Sequence, residues 1–428
     1  MRGWTRIAAA LSCALLSGCY GIQVSVHRPP KPPFKALARP QLYADDLDLP
    51  SLRRAAQASR TYLSRSQFSG ESRTLAGDTY TPAQVARSVD YFVKLVEETP
   101  PSKLGPRLAR ECKGYAPREG GRFTAYYEPV LQASRVKTPR FRYPLYQLPD
   151  GLTLVKLARF FPGDDRQFHG RVRGGELLPY LTREEIDGRQ MLAERGLELD
   201  WLDDPVSLFF LHIQGSGRLH LDDGNVLRVN YAASNGLPYT SVGRYLLDRK
   251  MITSGSSDSI QDFLRSNPTV RNDIMFQNRR YIFFREVNLG DNEGPIGSLG
   301  VPLIAGRYVA ADQRYVPAGA VMYIKTDAPV VGVGGQLVGW NKIARFAFNH
   351  DSGAAIKGPG RADIYWGEGS GAGAAAGYMH NPGDMVVLMC GVDPKRQAKA
   401  ESSSSEPFER VSWPEVARVL ASSSGTGL

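Results

Sequence analysis

Residues 350 to 371, HDSGAAIKGPGRADIYWGEGSG, place the carboxylates of Asp351 and Asp363 in a stretch rich in glycine and alanine. Carboxylates in such a position can donate and accept protons. If RADIYW is a strand, its side chains alternate between two faces, and Arg361, Asp363 and Tyr365 share one of them. The apolar face predicts a core contact and leaves Asp363 pointing outward. A solvated surface aspartate is the plain alternative, but an arginine and a tyrosine beside it suit sugar recognition.

Other catalytic motifs are incomplete. None of the six histidines forms HExxH, so we predict no metal site. The residues around Ser216 read QGSG and lack the first glycine of a G-x-S-x-G nucleophile turn. The segment from Gly367 to Ala372 fits G-x-G-x-x-A, yet no βαβ pattern surrounds it, so we predict a tight turn into a helix and no cofactor.

The composition is that of a folded, basic protein, with 42% hydrophobic and 22% charged residues and a net charge of +10. Excess positive charge favours anionic partners. We find no basic run interleaved with aromatic residues, so nucleic acid is not predicted as a partner.

The N-terminus has the features of an export signal. Two arginines precede the apolar stretch Ile7 to Leu16, which is too short to span a bilayer. The following LSGC resembles the bacterial lipobox, which implies that residues 1–18 are a signal peptide and that Cys19 is lipidated. Because Tyr20 is not aspartate, the sorting rule implies the periplasmic face of the outer membrane. A short membrane-proximal helix is the alternative.

Composition and periodicity outline the rest of the chain. The Pro-rich residues 19–47 are predicted to form an extended tether, and apolar spacing predicts helices over 51–67 and 82–98. After Gly120 the sequence turns to short β-like runs, including FTAYY, VSLFFLHI, RYIFF, RFAFN and ADIYW. Such runs without regular helix alternation favour barrels or sandwiches. Residues 399–428 are predicted to be a flexible tail.

Several separated motifs, in order, resemble the membrane-bound lytic murein transglycosylase A family. DSGAAIKGPGRADIYWGEG resembles its C-terminal three-aspartate domain, at about 300–395, and FTAYYEP, QGSG and GSLGVPLIAGRYVAAD resemble earlier segments. The resemblance covers roughly residues 80 to 395. The departures, such as Gly353-Ala354 in place of a glycine pair, remove no aspartate.

The resemblance implies a mainly β fold. A double-psi β-barrel domain with some N-terminal helices would comprise 48–127 and 286–398, and a smaller β-rich, barrel-like domain would be inserted over 128–285. The glycan would lie in a groove between them. The implied reaction cleaves the β-1,4 bond between N-acetylmuramic acid and N-acetylglucosamine without water and leaves 1,6-anhydromuramoyl ends, for cell-wall turnover.

The resemblance also implies roles for individual residues. Asp363 would be the single catalytic acid, with Asp351 and Asp312 as supporting residues. The candidate substrate-binding residues are Thr124, Tyr126, Tyr127, Gln214, Ser216, Gly353, Arg361 and Tyr365. Peptidoglycan strands would be the partner, together with the outer membrane and other cell-wall synthesis or hydrolysis proteins.

Two rival functions stay open at this point. The first is a peptidoglycan-binding lipoprotein without activity, which would not need three aspartates. The second is a glycan hydrolase, which needs a second carboxylate beside Asp363, and Asp351 or Glu368 would be that group. Sequence also leaves open whether Arg361, which would lower the pKa of Asp363, or a nearby Asp351 together with desolvation by bound glycan, which would raise it, prevails. It leaves open as well whether Cys112 and Cys390 form a disulfide or remain free thiols.

Overall fold

The computed structural model describes residues 31–38, 45–64, 71–161, 166–290 and 293–393. The predicted signal peptide, Cys19 and the predicted tail 399–428 lie outside these residues. The strands of the first sheet are β1 (Phe34–Ala36), β4 (Cys112–Pro117), β5 (Gly121–Glu128), β15 (Tyr308–Ala311), β16 (Val321–Val331), β17 (Leu337–Asp351), β18 (Arg361–Glu368) and β19 (His380–Cys390).

Six of these strands close into a barrel in the order β5, β19, β16, β17, β15, β18, because β18 pairs again with β5. The pairs β15–β17 and β18–β5 are parallel, and the remaining pairs in the ring are antiparallel. Strands β4 and β1 extend the sheet from β19. The predicted mainly β fold with a barrel is therefore confirmed.

A second sheet is formed by the chain between β5 and β15. Its order is β14, β13, β12, β6, β11, β7, and a bridge between Gln147 and Phe284 joins its two edges. The bounds are β6 (Val130–Ser134), β7 (Tyr143–Tyr146), β11 (Glu198–Leu202), β12 (Ser216–Leu221), β13 (Val226–Ser234) and β14 (Ile282–Glu286). Two small antiparallel sheets are β2 (Arg73–Leu75) with β3 (Asp78–Tyr80), and β8 (Thr153–Lys156), β9 (Gln167–Arg173) and β10 (Glu176–Pro179).

The helices accompany the sheets. They are α1 (Leu49–Leu63), α2 (Pro82–Glu98), α3 (Pro101–Glu111), α4 (Pro205–Gln214), α5 (Val242–Asp248), α6 (Ser257–Ser266), α7 (Arg271–Phe276) and α8 (Gly369–Tyr378). In α2, Thr81 and Gln84 form a capping box, with a 2.8 Å bond from the Thr81 N–H to Gln84 Oε1. The predicted apolar stripe of α2 packs into the barrel core. In the described part of the chain, no helix is both long and apolar enough to cross a bilayer.

Two sequence-based expectations were wrong. VSLFFLHI, predicted as a strand, lies in α4, because Asp204 caps the helix start, Pro205 occupies its first turn and Gly215 ends it with a φ of 82°. The predicted tether also ends earlier than residue 47. Phe34 is buried in the barrel core and its strand pairs with β4, so an apolar side chain draws this part of the segment into the fold.

The segment before α1 is likewise attached to the barrel. Asp45 binds Arg307 at 2.7 Å, and Asp46 binds Arg345 at 2.6 Å. Arg307 is completely buried, and its Nη2 also donates to the Asp48 carbonyl at 2.9 Å. A buried arginine needs such partners because an uncompensated charge is costly to bury.

Cys112 and Cys390 form a disulfide that closes a separation of 278 residues. It joins β4 to β19 where these residues are directly opposite each other. The open question between a disulfide and two free thiols is thus answered in favour of the disulfide.

We expect this disulfide to stabilise the fold by about 2–4 kcal/mol, because it restricts the unfolded chain over a long loop. Urea unfolding with and without dithiothreitol would measure the effect. The double variant Cys112→Ala/Cys390→Ala is the matched control, since reductant should not change its midpoint. Equal midpoints for the oxidised and reduced parent protein would contradict the prediction.

Candidate active site

Asp363 lies on β18, between the two strands that hold this part of the barrel. Its register partners are Ala310 on β15 and Thr124 on β5. The Thr124 hydroxyl donates a short hydrogen bond to Asp363 Oδ1. Arg361 Nη2 in turn donates to Thr124 Oγ1 at 2.8 Å. Because a hydroxyl has a single proton, the bond from Arg361 directs the Thr124 proton toward Asp363.

The environment raises the pKa of Asp363 to about 6. Burial is the largest cause, since a desolvated carboxylate loses its hydration. The Thr124 bond and the Arg361 charge lower the pKa, whereas the Asp351 charge raises it. Burial therefore has a larger effect on the pKa of Asp363 than the Arg361 charge, and the net pKa is raised.

Asp351 ends β17 and has a hydrogen-bond donor on each carboxylate oxygen. Tyr126 Oη donates to Oδ2 at 2.7 Å, and the backbone N–H groups of Ser298 and Ser352 donate to Oδ1 at 2.9 and 2.8 Å. Burial raises the pKa of Asp351, although these three donors oppose the shift. The bonds fix the carboxyl group in place and connect β17 with β5.

Asp351 and Asp363 line one cavity of about 650 Å³, between the barrel and the six-stranded sheet of the insert. This volume suits a bound oligosaccharide segment. The other predicted residues that line it are Tyr126, Gln214, Ser216 and Gly353. The structure thus brings together residues from β5, α4, β12, and the β17–β18 loop.

Four predicted residues do not reach the cavity wall. Tyr365 is only 2% exposed and packs in the barrel core, where its ring centroid lies 5.4 Å from that of Tyr126. Tyr127 faces α8, since a Cβ on Gly373 would lie 2.8 Å from its ring. Thr124 and Arg361 act behind Asp363 rather than at the surface of the cavity.

Asp312 does not line the cavity either. Burial acts to raise its pKa, but bonds from Arg314 at 2.6 and 2.9 Å and from the Gly358 N–H at 2.9 Å outweigh it, so the net pKa is lowered. Asp312 therefore anchors the loop that leads into β18. Glu368, the other candidate for a second carboxylate, forms an ion pair with Arg218 and does not line the cavity.

Sequence reasoning missed Glu128, which is only 1% exposed at the end of β5. Its carboxylate accepts bonds from Arg228 Nη2 at 2.9 Å and from Arg218 Nε at 3.1 Å. Both arginines belong to the insert, so the three side chains join it to the barrel beside the cavity. The available signal was a glutamate that follows the aromatic strand FTAYY directly.

No group of three or more histidine, cysteine, aspartate or glutamate side chains is arranged to hold a metal ion among the residues that the structure describes. The cavity's carboxyl groups are instead occupied by hydroxyl and N–H donors.

Known proteins resemble the chain in both sequence and fold. Two family models match, the MltA specific insert domain over residues 122–285 and the 3D domain over residues 307–389. The membrane-bound lytic murein transglycosylase A of Vibrio cholerae is 28% identical over 272 residues, which are 62% of this chain and 64% of that relative. The match thus spans somewhat less than two thirds of that relative's length.

Two crystal structures share the fold. The membrane-bound lytic murein transglycosylase from Agrobacterium tumefaciens is 30% identical, with a TM-score of 0.66, and the match covers 84% of this chain and 98% of that one. E. coli MltA with bound chitohexaose has a TM-score of 0.62 at 22% identity, over 85% of this chain and 96% of that one, and supports the fold alone.

The raised pKa of Asp363 predicts a pH-dependent stability. A carboxyl group whose pKa is higher in the folded chain stabilises the fold fully below its unfolded pKa, and this contribution is lost as pH rises through about 6. Asp363→Asn cannot ionise, so between pH 4 and pH 7 it should gain about 1–3 kcal/mol relative to the wild type.

Urea unfolding of both proteins from pH 4 to pH 8 would test this. Asp384→Asn, which alters an exposed aspartate, is the matched control. A constant difference between wild type and Asp363→Asn across this range would refute the shift.

Proposed function

We propose a reaction for this chain from the premise that it belongs to the membrane-bound lytic murein transglycosylase A family. The chain cleaves the β-1,4 bond between N-acetylmuramic acid and N-acetylglucosamine in peptidoglycan and leaves a 1,6-anhydromuramoyl end. The names of its relatives support the reaction class. The main observation in support of this reaction is the half-buried carboxyl group of Asp363, which has a raised pKa and lines a cavity of oligosaccharide size.

Asp363 acts first as the acid. Its Oδ1 accepts the Thr124 hydroxyl, so the catalytic proton resides on Oδ2. That proton passes to the glycosidic oxygen as the bond to the muramoyl C1 breaks, and N-acetylglucosamine leaves as an alcohol. The Arg361 charge, relayed through Thr124 at 2.8 Å, stabilises the carboxylate that this step creates.

Asp363 then acts as the base. The C6 hydroxyl of the same muramoyl residue attacks C1, and its proton returns to the carboxylate. One bond breaks and one forms, no water is consumed, and the enzyme recovers its starting protonation state. Attack within one sugar residue benefits from a high effective molarity. A single carboxyl group is therefore sufficient, whereas hydrolases use two.

The contacts of Asp351 favour this reaction over hydrolysis. Three donors occupy its two oxygens, which suits a residue that orients Tyr126 and the loop at Ser298 rather than one that activates water. We assign Asp312 to holding the β17–β18 loop. Tyr126, Gln214, Ser216 and Gly353 line the cavity and are assigned to glycan contacts, while Thr124 and Arg361 support Asp363.

We also propose the domain division and the location. In this division the insert comprises 128–285 and the flanking segments 48–127 and 286–398 form the barrel domain; the family model of the insert, matched over 122–285, supports the end at 285. Cys19 carries the lipid that holds the protein at the periplasmic face of the outer membrane, a proposal supported by LSGC and by relatives named as membrane-bound.

Asp363→Ala should lower turnover of purified murein by about a hundred- to ten-thousandfold, because it removes both acid and base. Cosedimentation with murein should be unchanged, since the cavity walls remain. Asp351→Ala should retain part of the activity, and Asp384→Ala, at an exposed site, should match the wild type. Full activity of Asp363→Ala would overturn the site assignment.

Digestion of purified murein by the wild type also distinguishes a transglycosylase from a hydrolase. Products formed by the wild type in oxygen-18 water should contain no label and should have the mass of anhydromuramoyl ends. Label at the new sugar end would identify a hydrolase and would direct attention to Asp351 as the second carboxylate. Binding without any product would favour the inactive lipoprotein.

Cys19→Ala should release the protein from membranes, because a lipid on Cys19 would be its anchor. Fractionation after washing would locate the variant, and its activity on isolated murein should equal that of the wild type. Cys13→Ala, in the predicted signal, is a matched control that should remain anchored. A washed membrane fraction that retains Cys19→Ala would place the anchor elsewhere.

A further inference from the structure

The cavity around Asp363 carries more positive than negative charge. Its lining contains two acidic side chains, those of Asp351 and Asp363, and burial raises the pKa of both. The cationic residues in the lining are Arg183, Arg280, Arg285 and Lys357. A neutral oligosaccharide gives no reason for this excess of cations.

Arg183 has a structural role that accounts for its charge. It is 2% exposed and forms an ion pair with Asp187 at 3.4 Å. Its Nε and Nη2 donate to the carbonyls of Asn278 and Arg280 at 3.1 and 2.8 Å. Arg183 thus holds the segment that carries Arg280, and the other three cations remain to be explained.

A hydrogen bond holds the Arg280 side chain in place on the insert side of the cavity. The side chain is half-buried, and Nη1 donates to the Leu237 carbonyl at 3.1 Å. A guanidinium has five N–H donors, and this bond uses one. Arg285, exposed on β14, adds a second cation to the same wall.

Lys357 lies on the opposite, barrel wall. Its side chain is exposed, but its neighbours are fixed, because Ile356 is buried and the Gly358 N–H binds Asp312 at 2.9 Å. The loop therefore holds a cation across the cavity from Arg280 and Arg285. Cations on both walls suit a ligand with carboxylates along its length.

We propose that Arg280, Arg285 and Lys357 select glycan that bears carboxylates on its muramoyl lactyl groups and disfavour neutral chitin-type strands. The inference rests on the proposed function and specifies its substrate. Each muramoyl residue carries a lactyl carboxylate when peptide-free, and peptide carboxylates when a stem is attached. Both sources present the same chemistry, which guanidinium groups bind with charge-assisted hydrogen bonds.

Equilibrium binding to the full-length Asp363→Ala protein tests the selection without turnover. Four probes are compared: peptide-free murein strands, the same strands with lactyl groups capped as methylamides, strands with stem peptides, and chitohexaose. Carboxylate-bearing strands should bind more tightly than chitohexaose, and their affinity should fall with added salt. Loss on capping identifies the lactyl carboxylate, whereas tight binding confined to peptide-bearing strands identifies the stem.

The variants separate charge recognition from folding. Arg280→Gln should weaken binding of carboxylate-bearing strands about tenfold and leave chitohexaose unchanged, and Arg280→Lys should recover part of the loss. Arg285→Gln and Lys357→Gln, at exposed positions, should each cost about two- to fivefold. Arg279→Gln is the matched control, because Arg279 lies next in sequence but does not line this cavity.

Equal affinity of all four probes would overturn the selection, and so would an equal loss of chitohexaose and murein strands in Arg280→Gln. Neither result would affect the reaction itself, which the products of the wild type report. Conversely, an absence of anhydromuramoyl products would reject the proposed function and leave the binding comparison valid.

Discussion

The parallel pairing of β18 with β5 is the constraint on which the site depends. It joins Asp363 to Thr124 across 239 positions of sequence and closes the six-stranded ring. Because the chain enters the insert directly after β5, the strand that supports the proposed catalytic carboxyl group also leads into the second wall of the cavity. A slip of one residue in this register would exchange the faces of the strand and bury Asp363 where Ile364 now packs.

Glu128, at the end of β5, connects the barrel to the insert. Its buried carboxylate lies between Arg218 and Arg228, and Arg228 Nη1 also donates to the Glu293 carbonyl at 2.7 Å on the returning chain. Burial raises the pKa of Glu128, and the two arginines oppose that shift. Removing one partner of such a buried pair typically costs about 3–5 kcal/mol. These contacts therefore fix the insert wall of the cavity relative to the barrel wall, so that the two are not connected by the chain alone.

Local patterns predicted part of the structure, although the local start and stop signals at Asp204, Pro205 and Gly215, which make VSLFFLHI a helix, were missed. Alternation in RADIYW assigned Ala362, Ile364 and Trp366 to one apolar face, and the first two are buried while Trp366 is partly buried against the same core. Family motifs led to the mainly β barrel. The sequence also failed where a distant contact decides. Alternation placed Tyr365 beside Asp363, but its ring packs against Tyr126 in the barrel core and is buried there. Arg280 and Lys357 belong to no local pattern, and only the folded chain brings them to one cavity.

A residue that serves as acid and then as base needs an environment that supports both of its protonation states. Burial alone would keep Asp363 neutral but would make the anion formed after proton transfer too costly. The charge of Arg361 alone would ionise it before the substrate arrived. Thr124 lies between Arg361 and Asp363. The resulting pKa of about 6 for Asp363 approaches the range in which a single group transfers a proton efficiently in both directions. Asp351 contributes through its charge, because a carboxylate nearby disfavours a second negative charge on Asp363. The short chain of contacts from Arg361 through Thr124 to Asp363 thus suits one carboxyl group to the two successive tasks that we propose for it, a reaction in which a second free carboxylate is not needed.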